Sequence, residues 1–340
     1  MSTPTATNLS GAVPLPQHDP TFADIEAAAA RLSGYATLTP LLPVHDVAVG
    51  GGGRLFVKAE CLQRTGSFKF RGAFNRLSMI PEAARGPGVV ACSSGNHAQG
   101  VAAAAEILGM PAVIVMPRDA PAIKIRNTEG YGARVVLYDR RTEDRDVIAR
   151  AICAETGATF VHPYDDPGVM AGQGTTGLEL VRQLADLGRV PDVVLVCASG
   201  GGLTAGISLA VERLAPGCAV YTVEPAGFDD HARSLAGGVR VRNAEPDGSI
   251  CDALMAATPG LITFSVNGPR VAGGLTVSDD EALAAVAFAA RRLKLVVEPG
   301  GAVALAAALT GKLPLEGKTV VAIVSGGNVD DAMIVRALAG

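Results

Sequence analysis

One lysine stands between two phenylalanines in the stretch Thr65-Gly66-Ser67-Phe68-Lys69-Phe70-Arg71-Gly72-Ala73, and it is the residue best placed for covalent chemistry. Burial beside aromatic rings disfavours an ammonium ion, lowers its pKa and leaves an amine that attacks carbonyl carbon to form a Schiff base. The stretch follows an apolar run from Leu55, and Gly66 with Ser67 reads as a turn and helix N-cap. A lysine whose stem packs on a helix face while its amine reaches water would fit the same residues. The rest of the chain has to decide.

Further stretches with chemical potential sit where strands give way to helices. Ser93-Ser94-Gly95-Asn96-His97 follows Val89-Val90-Ala91-Cys92 and opens an Ala-rich helix. Its backbone N–H groups and side-chain donors make a nest for a carboxylate, or Ser94 or Asn96 simply caps the helix. Ser199-Gly200-Gly201-Gly202-Leu203 follows another apolar run. Consecutive glycines before a helix let the backbone curl around a phosphate, with a plain Gly-rich turn as the alternative. The spacing fits neither a dinucleotide fingerprint nor a Walker loop. Glu224, Asp230 and an intervening carbonyl could hold a hard cation, or form a loop of solvated acids. Glu298-Pro299 and Ser325-Gly326-Gly327-Asn328 complete the set, each also readable as ordinary turn chemistry.

These residues need strands to present them. Strand-like runs cover 54–60, 89–93, 112–116, 134–138, 192–197, 219–223 and 319–324. Helical patterns cover 67–79, 97–108, 121–129, 142–155, 168–187, 203–214, 279–292 and 301–310, and Thr21 to Asp24 forms a capping box for a helix ending near Gly34. Alternation of this kind predicts an α/β fold of open, parallel, twisted sheets flanked by helices. In such sheets ligands bind at the carboxyl ends of strands. A chain of 340 residues favours two lobes. Residues 1–20 read as a flexible tail, 88–165 as a small lobe, and 21–87 with 166–340 as a large lobe that the chain leaves and re-enters.

Composition narrows the partners. Nearly half the residues are apolar, 18% are charged, and the net charge is −4, so there is no basic footprint for nucleic acid. No apolar stretch is long enough to span a membrane. The six cysteines are scattered without paired spacing, which predicts a reducing cytoplasm rather than a disulfide framework or zinc site.

Taken in order, Ser67-Phe68-Lys69, Ser93 to His97, the glycine loop, Glu298-Pro299 and Ser325 to Asn328 resemble the fold-type II pyridoxal-phosphate enzymes, specifically the threonine/serine dehydratase and serine racemase branch. Met116 to Pro121 with Lys124, and Ala171 to Thr175, are similar to stretches of that branch, and the resemblance runs from about residue 22 to 335. It implies a tryptophan synthase β-like fold with the cofactor between a large cofactor-binding and a small substrate-binding lobe. Lys69 would form the Schiff base to pyridoxal 5'-phosphate with Phe68 beside it. Asn96 would bind the ring 3'-oxygen; Ser199, Gly200, Gly201, Gly202 and Leu203 would cradle the phosphate; Glu298 would join the cofactor site; Ser325 would face the pyridine nitrogen. Ser93, Ser94, Gly95, Asn96 and His97 would clamp the substrate carboxylate, and Arg145 sits where related racemases place an arginine for a second carboxylate. Glu224, the Phe228 carbonyl and Asp230 match the branch's site for a divalent cation, Mg2+ or Ca2+.

A hydroxyl opposite the ring nitrogen makes a weaker electron sink than a carboxylate, which suits β-elimination. The resemblance therefore implies a dehydratase (ammonia-lyase) converting L-threonine or L-serine to a 2-oxo acid and ammonia, with Lys69 as the base at Cα. Ser94 stands where many threonine dehydratases carry Ala and serine racemases carry an acid/base serine on the opposite face, so an amino-acid racemase is the alternative. A hydroxyaspartate dehydratase is another, and a cofactor-binding relative without catalysis a third. Two departures stand out: Ser199 replaces a fourth glycine, and Ser94 replaces the Ala of many threonine dehydratases; a C-terminal regulatory domain is not expected in a sequence that ends at Gly340. A cytoplasmic homodimer is expected from the resemblance.

Overall fold

Strands buried at every position form the centres of the sheets. Val89–Cys92 and Val193–Cys197 are buried throughout, as strands covered on both faces must be. The computed structural model describes residues 19–45, 47, 52–93 and 95–340, so most of the expected tail, and Ser94, lie outside the described residues.

In chain order the first elements are α1 (Phe22–Leu32), β1 (Leu41–Val44), β2 (Arg54–Ala59), α2 (Lys69–Ser78), β3 (Val89–Cys92), α3 (Asn96–Ile107), β4 (Ala112–Pro117), α4 (Ala122–Gly130), β5 (Arg134–Tyr138), α5 (Arg145–Thr156) and β6 (Thr159–Val161). There follow α6 (Pro167–Asp186), β7 (Val193–Cys197), α7 (Gly202–Leu214), β8 (Ala219–Pro225), α8 (Asp230–Gly237), α9 (Leu261–Asn267), β9 (Val271–Val277), α10 (Asp279–Phe288), α11 (Pro299–Leu309), β10 (Thr319–Val324) and α12 (Asp331–Ala339).

Two open sheets result. A six-stranded sheet runs β1-β2-β10-β7-β8-β9 and a four-stranded sheet runs β5-β4-β3-β6. All pairings are parallel except β1 with β2, where the Pro-bracketed segment returns antiparallel along the edge. Strands β2, β10, β7 and β8 are neighbours, so the lysine stretch, Ser325, the glycine loop and the Glu224 segment emerge side by side from their carboxyl ends.

Short β6, edge strand β9, α8 and α9 were not legible in the sequence. Gly273 and Gly274 interrupt the apolar pattern of β9, β6 has only three residues, and α9 has seven. Helix α11 is buried along most of its length and packs on β10, β7 and β8. A buried ion cluster fixes α2. Arg71 Nε lies 2.8 Å from Glu60 Oε2, Arg71 Nη1 lies 2.6 Å from Glu179 Oε1, and Lys58 Nζ lies 2.7 Å from Glu179 Oε2. Every buried charge there has a partner, so the cluster is tolerated and holds α2 in one orientation on β2 and α6.

Candidate active site

Lys69 is the first residue of α2, and its Nζ donates to the Pro163 carbonyl at 2.8 Å. The amine also lies 5.2 Å from the centre of the Phe68 ring. The cleft leaves Lys69 partly open, yet protein surrounds the amine, and burial lowers its pKa to about 8. The positive end of the α2 dipole works in the same direction.

The turn before Lys69 is held by the loop after β10 rather than by the expected Ser67 cap. Phe68 N donates to Ser325 O at 3.1 Å, Gly327 N donates to Gly66 O at 2.9 Å, and Ser67 bridges to Gly326. Asn328 Nδ2 donates to Thr65 O at 2.8 Å. Thr65, a β-branched residue, has a φ of 65° and Gly66 one of 73°. These tertiary bonds hold a conformation that Thr65 does not favour alone. They also put Ser325 next to Phe68. Cys197 Sγ donates to Ser325 Oγ at 3.2 Å from the end of β7, and burial pushes the Cys197 thiol up to about 11, so it stays protonated.

Asn96 faces the same loop from α3. Its Oδ1 accepts from Asn328 Nδ2 at 2.8 Å and its Nδ2 donates to Glu298 Oε1. An acceptor-only carboxylate on one side and an amide donor on the other settle the orientation of this amide. Glu298 Oε2 lies 3.0 Å from Lys124 Nζ, which is 2.8 Å from Asp252 Oδ2. Burial raises the Glu298 pKa and Lys124 opposes it; the two carboxylates hold the Lys124 ammonium well above its ordinary value. The lysine stem crosses Gly95, where a Cβ would stand 2.3 Å from Lys124 Cδ.

The glycine loop leads into α7. Gly201 has φ +92° and a Cβ there would meet the His231 ring at 2.4 Å; one on Gly200 would meet the Tyr164 ring at 2.1 Å. Only glycine fits either position, and the free amides at the start of α7 suit an anion. Buried Gln173, whose amide atoms have no partner, lies against Gly202. An amine of depressed pKa, a helix N-terminus with an unfilled cradle and unpartnered buried polar atoms fit a phosphorylated aldehyde such as pyridoxal phosphate. Phe68, Lys69, Asn96, Ser199 to Leu203, Glu298 and Ser325 could hold it.

At the Ser93–His97 nest, Ser93 Oγ accepts from Gly95 N at 3.1 Å, and among the described residues no side chain caps α3. The His97 ring packs towards β6, with Nε2 3.3 Å from Val161 O, and burial keeps it neutral. Arg145 opens α5 with its side chain 42% exposed, and its carboxylate neighbour, Asp146, is 3.8 Å away. At the end of β8, Glu224 Oε1 and Oε2 accept from His231 N and Ala232 N at 3.0 and 2.9 Å. Asp230 Oδ1 accepts from Asn243 Nδ2 at 2.6 Å while buried Oδ2 has no partner. Burial raises the pKa of Asp230 to about 6 and that of Glu224 well above the usual carboxylate range, the latter helped by Asp230. Among the described residues no three His, Cys, Asp or Glu side chains converge as a metal cluster.

Comparison with known proteins decides the family. The description "Pyridoxal-phosphate dependent enzyme" matches residues 32–326. The chain belongs to this family. It is 46% identical over 309 residues to L-threo-3-hydroxyaspartate ammonia-lyase of Pseudomonas sp, covering 91% of this chain and 95% of that protein. It is 43% identical over 311 residues to serine racemase of Schizosaccharomyces pombe, covering 92% and 95%. The solved structure of a threonine deaminase from T.th. has a TM-score of 0.85 at 44% identity, covering 92% of this chain and 99% of that one. The enzyme is thus a fold-type II member of the family, with parallel-rich sheets flanked by helices. No helix among the described residues is long and apolar enough to cross a membrane.

Several of this family member's site residues carry no local sequence signal. Asp252 and Lys124 meet across 128 positions, and Pro163 meets Lys69 across 94. Asn328 stood in a recognised motif, but its grip on Asn96 is a tertiary contact across 232 positions.

Proposed function

We propose that this enzyme is an ammonia-lyase for β-hydroxy amino acids, converting L-threonine or L-serine to a 2-oxo acid and ammonia by β-elimination. The depressed pKa of the Lys69 amine, brought to about 8 at the meeting point of β2, β10 and β7, carries this reading. On it, residues 88–165 form the substrate-binding lobe, and 21–87 with 166–340 the cofactor-binding lobe. Ser199 to Leu203 would hold the phosphate, Phe68 would flank the ring, and Asn96 and Ser325 would serve its 3'-oxygen and nitrogen. When bound, the cofactor supplies an electron-withdrawing ring that acidifies the substrate Cα–H bond. Ser93, Gly95 and the first amides of α3 hold the α-carboxylate. Lys69 accepts the Cα proton as general base, the Cβ–O bond breaks and the hydroxyl departs with one proton as water. A solvent water then hydrolyses the released enamine to the 2-oxo acid and ammonia. Ser325, a neutral hydroxyl backed by the Cys197 thiol, would offer the ring nitrogen a neutral partner rather than an anionic one.

A β-carboxylate substrate is the second reading. The partly exposed Arg145 guanidinium supports it, held by Asp146 only at 3.8 Å, as does the similarity to a hydroxyaspartate ammonia-lyase. Racemisation, with Ser94 as the second acid/base beside Lys69 in the chemistry, is supported by the similarity to a serine racemase. Glu224, the Phe228 carbonyl and Asp230 are assigned to a divalent cation, Mg2+ or Ca2+, because two buried carboxylates raise each other's cost and both have raised pKa values. The same reading takes the enzyme as a cytoplasmic homodimer.

Holoenzyme supplied with L-serine, L-threonine and L-threo-3-hydroxyaspartate should release 2-oxo acid and ammonia, with chiral analysis reporting any D-enantiomer. Lys69→Ala should lower turnover by about 10³-fold or more. Full turnover in that variant would sink the proposal.

A further inference from the structure

Four consecutive residues between β6 and α6 each hold a different part of the site. Pro163 O accepts from Lys69 Nζ, the Tyr164 ring lies against Gly200, and Asp166 caps α6 while pairing with Arg76 at 2.9 Å. Asp165 points to α9 instead. Its Oδ2 accepts from Leu261 N at 2.9 Å, and its Oδ1 accepts from Ile262 N at 2.8 Å and Thr263 N at 3.1 Å. One carboxylate thereby satisfies the first-turn amides of a helix too short to be stable alone.

Helix α9 in turn holds the glycine loop from behind. Gly260 N and Thr263 Oγ1 donate to Gly200 O at 3.1 and 2.6 Å, and Asn267 Nδ2 donates to Gly201 O at 3.1 Å. Thr263 and Asn267 are fully buried, so these donors have no competing water. A carbonyl tied to the back of the loop cannot swing its lone pairs towards an anion on the front, and the loop amides stay aimed at it. This is preorganisation of an anion site, achieved by residues that do not touch the anion. The backbone that carries Asp165 is also pinned, because His162 Nδ1 accepts from Asp165 N at 2.8 Å and Tyr164 N at 3.3 Å.

We infer that Asp165 is a positioning residue for the phosphate site: acting through α9, it holds the carbonyls of Gly200 and Gly201 away from the anion. Two residues earlier, Pro163 sets the position of the Lys69 amine. The two ends of the cofactor, aldehyde and phosphate, are therefore located against one short backbone segment that passes from the four-stranded to the six-stranded sheet. The inference rests on the reading of residues 199–203 as the phosphate cradle.

The test compares Asp165→Ala, Thr263→Val and Thr263→Ser with the parent holoenzyme. Apoprotein is titrated with pyridoxal phosphate for its dissociation constant, the bound phosphate is observed by phosphorus NMR, and unfolding of the apoprotein is followed by circular dichroism. Asp165→Ala and Thr263→Val should each weaken cofactor binding by about tenfold or more and move or broaden the phosphorus signal. Thr263→Ser, which restores the hydroxyl, should return both towards the parent. Should Asp165→Ala not fold, the Thr263 pair decides. A role confined to folding would lower the apoprotein's unfolding midpoint and leave affinity and phosphorus signal unchanged, and that result overturns the inference. Gly201→Val separates the underlying reading. Unchanged affinity there removes the cradle itself, whereas lost affinity there with parent-like Asp165→Ala and Thr263→Val removes only the role of Asp165.

Discussion

Lys69 has an ordinary pKa of 10.5 that burial brings down to about 8. Between those values the folded amine is neutral and the unfolded one protonated, so the unfolded chain binds more protons. Stability of the apoprotein from this group therefore increases as pH rises from about 8 to 10.5. The neutral amine is also the form that condenses with an aldehyde. Cofactor loading should accelerate about tenfold per pH unit below pH 8 and level off above it. Stopped-flow absorbance of apoprotein mixed with pyridoxal phosphate checks this; a flat profile through pH 6 to 9 (roughly the window implied by such a pKa) would show that the amine is not the group that titrates. The aromatic neighbours of Lys69 already suggested a depressed pKa in the sequence. Its contact with Pro163 did not, because nothing local marks a carbonyl 94 positions away.

Helix α4 contributes Lys124 to a site otherwise built at the ends of strands, and that placement makes the lysine a bond between the two sheets. It sits among residues of the four-stranded sheet, whereas Glu298 opens α11 and Asp252 lies in the loop before α9. Without Lys124, the buried Glu298 and the partly buried Asp252 lose their shared cation, and among the described residues Glu298 keeps only the Asn96 amide as donor. Lys124→Met should cost about 3–5 kcal/mol of stability by calorimetry. Glu298 would then take up a proton, lose its role as a pure acceptor for Asn96, and weaken cofactor binding. Glu298→Gln in the Lys124→Met background should recover part of the lost stability, since it removes the stranded charge. If Lys124→Met alone unfolds at the parent temperature, the ion pair contributes nothing at this junction. Lys124 and Glu298 both stand in stretches similar to the family, but their pairing, and the part of Asp252 in it, carry no local signal.

Over the whole molecule, the Glu224 and Asp230 pair is a cost that a bound cation would relieve. Both pKa values are raised, and Asp230 Oδ2 has no donor. Mg2+ or Ca2+ at about a hundred times its dissociation constant should add about 2.7 kcal/mol to unfolding of the enzyme. A rise in the thermal midpoint that chelator reverses, and that Asp230→Asn abolishes, is the expected result. A midpoint indifferent to both ions would remove the cation from the account. Glu224 and Asp230 lie past β8, beside the glycine loop after β7. His231 follows Asp230, its backbone N–H bonds Glu224, and its ring packs under Gly201. Adjacency of these two strands therefore brings the two pockets together.

The sequence by itself determined the alternating α/β order, the strand ends that carry chemistry and the residue types found there, because hydrophobic period and helix-start signals are local. It also named Lys69, Asn96, the glycine loop, Glu298 and Ser325 as members of one site through the resemblance of their order. Tertiary structure alone decided how those members are held. The turn at Thr65 and Gly66 is kept by Asn328 and Gly327, not by the Ser67 cap that local pattern suggested. The orientation of the Asn96 amide comes from Glu298 and Asn328, and the glycine loop is backed by α9, a seven-residue helix without a periodic signature. Long-range hydrogen bonds and buried ion pairs depend on which strands lie side by side, and strand adjacency is a property of the folded sheet that no window of sequence contains.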